Sequence, residues 1–168
     1  LNTTGPIGTS AEAIEFANNA TTTQQVVTIT GAPTSDVILE GLGALTLGAI
    51  TTFNGGSDLS VTGAGLLTLT GSIDVGNTDN AIFNITRALN TDAAVNQTGG
   101  TFSGNGLILI GTGVFTLNQA NTIATLAGNV DGDISFTEAG AFAINTVGTV
   151  NDLNATGNIT LNAGGAVT

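Results

Sequence analysis

Short stretches of alternating apolar and small polar residues recur along the chain, each led by glycine or another small residue. The clearest pair lies near the C-terminus, where residues 132–143 overlay on 157–168 with a shift of 25 residues. The aligned pairs are Ile134 with Ile159, Phe136 with Leu161, Ala139 with Gly164 and Ala141 with Ala166. Alternation with a period of two is typical of a β-strand that buries one face. A shift of this size indicates stacked structural repeats.

Looser copies of the same motif occur in the rest of the chain. The copies begin at Gly43, Gly65, Ala81, Gly106, Gly113, Gly132, Gly140 and Gly157. Their irregular spacing, with 22 residues from Gly43 to Gly65 but 8 from Gly132 to Gly140, indicates more than one strand per repeat. The pattern predicts an all-β protein, a right-handed parallel β-helix (solenoid) of about six turns. The alternative is an antiparallel β-sandwich, whose strands are usually joined by tight hairpins.

The N-terminal part of the chain differs from the repeats. We expect residues 1–25 to form an extended arm and a short capping helix, and residues 26–168 to form the β-helix repeats of a single domain. The helix is predicted over 10–18, because Ser10 can cap it and Glu12 lies favourably in its first turn. Two turns of helix are marginal alone, so the helix is expected to pack over the open end of the strand stack.

Two features inside the solenoid are predicted from particular residues. Phe115, Phe136 and Phe142 occupy inward positions of three motifs and are candidates for an aromatic ladder. Residues 87–104 fit the motif worst, and we predict that they form a protruding corner loop.

Composition excludes several partners. The chain has one basic residue, Arg87, against 12 acidic ones, and its formal net charge is -11. Nucleic acid and anionic lipid both attract basic residues, so neither is an expected partner. The longest apolar runs, such as 106–111, are far shorter than the roughly 18 residues of a membrane span, so no membrane insertion is expected.

Catalytic chemistry is restricted by the same composition. The chain has no His and no Cys, which excludes nucleophile–His pairs and zinc sites built on those residues. A carboxylate pair that cleaves glycosides remains, with Asp131 and Asp133 or Asp74 and Asp79 as candidates. Because the chain also lacks Trp and Tyr, on which sugars usually stack, we expect no enzyme. No organic cofactor is expected.

One acidic motif suits a hard cation. Asn129, Asp131 and Asp133 supply three oxygen ligands at alternate positions, the ligand type that Ca²⁺ prefers. The motif lacks a downstream bidentate Glu at the spacing of a calcium loop. The sequence therefore names these residues as the candidate calcium ligands, against the alternative of solvated turn carboxylates.

The repeats resemble those of large secreted bacterial exoproteins of the filamentous-haemagglutinin and autotransporter type. The resemblance rests on residues 152–167 and 63–71, and residues 11–30 look like the N-terminal entry of extracellular β-helix proteins. It implies a right-handed parallel β-helix that serves as a surface stalk, adhesin or fibre. The chain begins at Leu1 without a basic and apolar leader, from which we expect a trimmed or partial chain.

The leading hypothesis is a non-enzymatic extracellular structural or adhesive protein at the cell surface, a self-associating building block of a fibre or stalk. Its partner would be a second copy, stacked head to tail through open strand edges. The alternative is an adhesin-type module that binds a surface glycan or another host ligand through residues 87–104. A carbohydrate-cleaving enzyme is the least favoured of the three.

Overall fold

The computed structural model describes residues 7, 14–16, 25–31, 33, 35–50, 56–87 and 92–168. In this part of the chain the backbone winds into a parallel β-solenoid of about six turns. The strands are β1 (Ile14–Phe16), β2 (Gln25–Ile29), β3 (Val37–Gly41), β4 (Leu45–Ile50), β5 (Leu59–Ala64), β6 (Leu67–Leu69), β7 (Ile73–Asp74), β8 (Asn80–Thr86), β9 (Ala93–Gln97), β10 (Phe102–Thr112), β11 (Val114–Asp131), β12 (Ile134–Glu138), β13 (Ala143–Ile144), β14 (Leu153–Ala155) and β15 (Ile159–Ala163). The predicted fold class is confirmed, and the sandwich alternative is wrong.

The strands form two parallel ladders that run the length of the solenoid. Ladder 1 stacks β1, β3, β5, β8 and the second halves of β10 and β11, and ends at β13 and β14. Ladder 2 stacks β2, β4, β6 and β7, β9, the first halves of β10 and β11, then β12 and β15. The predicted shift of 25 residues is the register of β12 on β15, which pairs Ile134 with Ile159 and Phe136 with Leu161.

The core is a column of apolar side chains between the two ladders. In ladder 1, Val37, Leu59, Ala81, Leu107 and Leu126 lie above one another, and all are buried. Alternate residues of the same strands face outward, as β3 shows with its buried, intermediate, buried pattern. Each turn therefore covers the apolar interior of the turn before it, and burial of this aliphatic surface is the main stabilising contribution.

The predicted N-terminal helix is wrong where it can be compared. Ile14–Phe16 form β1, which pairs in parallel with β3, and Glu15 lies on the outer face opposite Glu40. The rest of the predicted helix, residues 10–13, 17 and 18, lies outside the described residues. Ile14 and Phe16 lie two residues apart, which is the period of a strand, and pairing with β3 packs both against the core.

The predicted loop over 87–104 is also wrong in large part. Ala93–Gln97 form β9 within ladder 2, and Phe102 begins β10. Residues 88–91 lie outside the described part of the chain. The three phenylalanines of the predicted aromatic ladder do not stack in one column. The ring centroids of Phe136 and Phe142 lie 5.6 Å apart, edge to face, whereas Phe115 stacks between Val95 and Ile134.

A second apolar cluster lies on the outer face of ladder 1. Ile108 and Ala127 point away from the core, yet both are buried, because residues 145–152 leave the ladder and fold over them. This excursion is closed by two backbone hydrogen bonds of 3.0 Å between Val147 and Val150. It separates β13, which ends opposite Leu126, from β14, which begins opposite Gly128.

Among the described residues no helix is long and apolar enough to span a membrane.

Candidate functional site

The strands of ladder 1 pass into those of ladder 2 through a tight corner. Between β10 and β11 this corner is Gly111-Thr112-Gly113, and both glycines have positive φ, 131° and 109°. A Cβ on Gly111 would overlap the carbonyl oxygen of Ile85 in the turn below. The corner requires glycine because the stacked backbones approach too closely for a side chain.

Acidic residues beside the corners stabilise the stack through their carboxylates. The Asp133 Oδ1 atom accepts a hydrogen bond of 2.7 Å from the backbone N–H of Asn158, one turn later. At the corner that leads into ladder 1, Asp36 Oδ1 accepts from the Asp58 N–H at 3.0 Å and Asp58 Oδ1 from the Asn80 N–H at 2.8 Å. These bonds satisfy backbone donors that the corner would leave without a ladder partner. They give these aspartates a structural role.

The stacked corners that follow β8, β10 and β11 form an open cleft of ≈ 480 Å³. The charged residues that line it are Arg87, Asp92, Asp131 and Asp133. Arg87 Nη1 lies 2.6 Å from Asp92 Oδ1, and 49% and 85% of the two side chains are exposed. An ion pair this exposed contributes at most about 1 kcal/mol to stability. The cleft is therefore lined by the single basic residue of the chain and by three carboxylates, one of them paired with Arg87, and it offers both donors and acceptors to a polar ligand.

The candidate calcium ligands lie at this cleft and next to it. Asp131 ends β11, and its Oδ1 atom accepts a 2.7 Å hydrogen bond from Thr156 Oγ1. Asn129 lies two residues earlier on the exposed outer face of the same strand. Within the described residues, no three acidic side chains are grouped so that they could hold a metal ion. A site completed by the Asn129 amide oxygen stays a prediction.

The other predicted carboxylate pair belongs to a corner as well. Asp79 is buried, with 1% of its surface exposed, and its Oδ1 atom accepts hydrogen bonds from the Gly56 N–H and from the Ser57 N–H. Asp74 Oδ1 accepts from the Gly76 N–H at 3.0 Å. Both carboxylates thus bond to backbone donors of corner segments.

A buried polar cluster inside the solenoid was not predicted. Asn121 is fully buried, and its Oδ1 atom accepts from Gln97 Nε2 and from the Phe102 N–H, each at 2.8 Å. Its Nδ2 atom donates to the carbonyl oxygens of Leu117 and Thr137. Since these partners come from four successive segments of the coil, one amide group joins three turns at the edge of ladder 2.

Glu138 lies directly above Asn121 in the next turn and is 2% exposed. Burial raises the pKa of its carboxyl above the ordinary value of 4.5, and the N–H groups of Ile123, Gly140 and Ala139 oppose this effect by hydrogen bonding to it. Alternation from Ile134 and Phe136 places Glu138 on the inner face, so the sequence did contain a signal for its burial.

The raised pKa of Glu138 predicts that stability depends on pH. Because the folded chain binds this proton more tightly than the unfolded chain, the contribution of Glu138 is fully present below pH 4.5, the ordinary pKa of its carboxyl, and is lost as pH rises through its folded-state pKa. In urea unfolding between about pH 4 and pH 7, Glu138→Gln is expected to lose less stability than the wild type. Glu40→Gln, on the outer face, is the matched control. Equal pH slopes in all three chains would contradict the prediction.

Comparisons with known proteins identify no relative of this chain. The chain matches no protein-family profile, no curated protein and no solved structure.

Proposed function

We propose that this chain is a non-enzymatic structural and adhesive building block of an extracellular or cell-surface fibre, which associates end to end with further copies. The observation that carries the proposal is the continuity of both parallel ladders from β1 and β2 to β14 and β15, in which each turn presents a strand edge and an apolar interior to the next turn. Ile159 faces inward in β15, but 41% of its surface is exposed, and Leu161 and Ala163 of the same strand are only partly covered.

The open turn has the properties of a stacking surface. Its β14 and β15 strands each pair on one side, with β11 and β12, and present the other edge to solvent. A parallel strand that adds to this edge would gain backbone hydrogen bonds and would cover the inward side chains. If a second copy continued both ladders in the same register, its Ile14 would stack on Leu153 in ladder 1. Its Val27 would stack on Leu161 in ladder 2.

The remaining features are consistent with a structural role. The acidic residues of the corners bond to backbone donors, and the buried polar cluster joins turns. The resemblance of residues 152–167 to repeats of secreted bacterial surface exoproteins supports the extracellular assignment. A coil of about six turns spaced by about 4.8 Å is roughly 30 Å long, so a fibre would need many copies.

The proposal is tested with two adjacent substitutions in β15. Leu161 faces the open core and Asn162 faces solvent, so Leu161→Asp and Asn162→Asp add the same charge to opposite faces of one strand. We expect the wild type and Asn162→Asp to form rods or filaments by electron microscopy and to grow with concentration by light scattering. Leu161→Asp is expected to remain a single short rod. A wild-type chain that stays monomeric at high concentration would overturn the proposal.

A further inference from the structure

An Asn-Gly pair lies in β10, where this strand passes from ladder 2 into ladder 1. The pair is Asn105-Gly106; the sequence contains one other, Asn54-Gly55, which lies outside the described residues. Asparagine followed by glycine is chemically labile, because glycine has no Cβ and its nitrogen approaches the asparagine side chain unhindered. The surroundings of the pair therefore determine how fast Asn105 is modified.

Both residues of the pair are held by neighbouring turns. The Asn105 N–H donates to the carbonyl oxygen of Asp79 at 2.9 Å, and Asn105 Nδ2 donates to Asn80 Oδ1 at 3.2 Å. Gly106 is paired with Asn80 on one side and with Thr125 on the other. The side-chain amide of Asn105 and the backbone of Gly106 are thus each engaged with a different partner, and neither is free to approach the other.

The excursion over 145–152 covers the outward side of Gly106. A Cβ on Gly106 would lie 2.5 Å from a methyl carbon of Val147 and 2.5 Å from Asn80 Oδ1, so this position takes glycine. Val147 is 5% exposed and packs on Ile108, the next outward residue of β10. The packing of the excursion therefore requires the glycine that makes the pair labile, and it also covers that glycine.

We propose that Asn105 is a site of spontaneous deamidation, and that opening of the excursion sets its rate. The Gly106 nitrogen, its proton lost to hydroxide, attacks Asn105 Cγ. The Cγ–Nδ2 bond breaks, and the departing nitrogen takes a proton from water and leaves as ammonia. Water then opens the cyclic imide at either carbonyl carbon, which gives aspartate or isoaspartate. In the folded chain the ring closes only after Gly106 leaves its strand neighbours, and the cover of Val147 opposes that movement.

The product weakens the corner that leads into ladder 1. Asn80 donates to Asp58 Oδ1 through its N–H and through Nδ2, so Asn80 Oδ1 is left as an acceptor for Asn105. A carboxylate at position 105 cannot donate to it, and adds a negative charge to a corner that already holds Asp58. Isoaspartate also inserts its Cβ atom into the backbone of a strand that is paired on both sides. Deamidation therefore limits the lifetime of the coil, whether or not the chain forms fibres.

The single basic residue of the chain makes the reaction simple to measure. Trypsin cuts only after Arg87, which leaves one Asn-Gly pair in each of the fragments 1–87 and 88–168. The folded chain and the chain in concentrated urea are incubated at the same mildly alkaline pH, then digested, and mass spectrometry with peptide fragmentation follows the change of amide to acid at Asn105. We expect this change to be at least about tenfold slower in the folded chain.

Two substitutions in the excursion test its role as a cover. Val147→Asp places a charge beneath the excursion, and Thr149→Asp places the same charge at its exposed tip. Val147→Asp is expected to remove most of the protection of Asn105, and Thr149→Asp to keep it. Circular dichroism verifies that both variants fold, and Val147→Ala replaces Val147→Asp if that chain does not. Equal rates in the folded chain and in urea, equal rates in the two variants, or no reaction in urea would each overturn the proposal.

Discussion

Replacement of Asn121 by alanine is expected to lower the free energy of unfolding by about 3–6 kcal/mol, a large part of the stability of a domain this size. The substitution removes the buried amide that bonds to Gln97, to the Phe102 N–H and to two carbonyl oxygens. Each buried polar group left without a partner costs about 1–3 kcal/mol. Urea unfolding, followed by circular dichroism, measures the loss.

The control for Asn121→Ala is Asn118→Ala, three residues earlier in β11. Asn118 is exposed and its side chain accepts one hydrogen bond, from Ser135. Its removal is expected to cost less than about 1 kcal/mol. If the two alanine variants unfold at the same urea concentration, the buried amide does not hold the turns together as described.

Gly111→Ala is expected to destabilise the coil by about 2–5 kcal/mol, for two additive reasons. Gly111 has a φ of 131°, which an L-residue adopts only with strain. The added methyl group would also meet the carbonyl oxygen of Ile85, which belongs to the backbone and cannot rotate away. The turns that contain β8 and β10 would have to separate at this corner.

Gly56→Ala isolates the conformational part of that cost. Gly56 has a φ of 91°, but a Cβ on it would meet no atom within 4 Å. Its expected loss is only about 1–2 kcal/mol, the strain alone. Thermal unfolding of both variants gives the difference, and equal losses would show that close stacking of the backbones at the Gly111 corner carries no cost of its own.

The parallel stack could be predicted because the alternation of apolar and polar residues recurs along the sequence. Ile134, Phe136, Ile159 and Leu161 alternate with polar residues at a shift of 25, and this shift is the register of β12 on β15. Asp131 and Asp133 were also predicted as functional candidates, and the structure places both at one cleft. Their bonds to the following turn were not predicted, although the same shift of 25 residues aligns Asp131 with Thr156 and Asp133 with Asn158.

The features that sequence reasoning missed depend on long-range contacts or on short segments. Arg87 and Asp131 line the same cleft only because the corners stack across two turns. Ile14–Phe16 is too short for its period to distinguish strand from helix, and pairing with β3 decides the outcome. The excursion over 145–152 did have a signal, since residues 106–111 are apolar at outward as well as inward positions, and the outward Ile108 needs a cover.

That excursion also shows what determines the length of the molecule. In ladder 1, 22 residues separate Val37 from Leu59, 26 separate Ala81 from Leu107 and 19 separate Leu107 from Leu126, yet each step is one strand spacing. Extra residues bulge sideways and leave the axial advance unchanged. The number of turns, and not the number of residues, therefore sets the length of the coil. A peptide inserted at the exposed tip of the excursion would widen the rod without lengthening it.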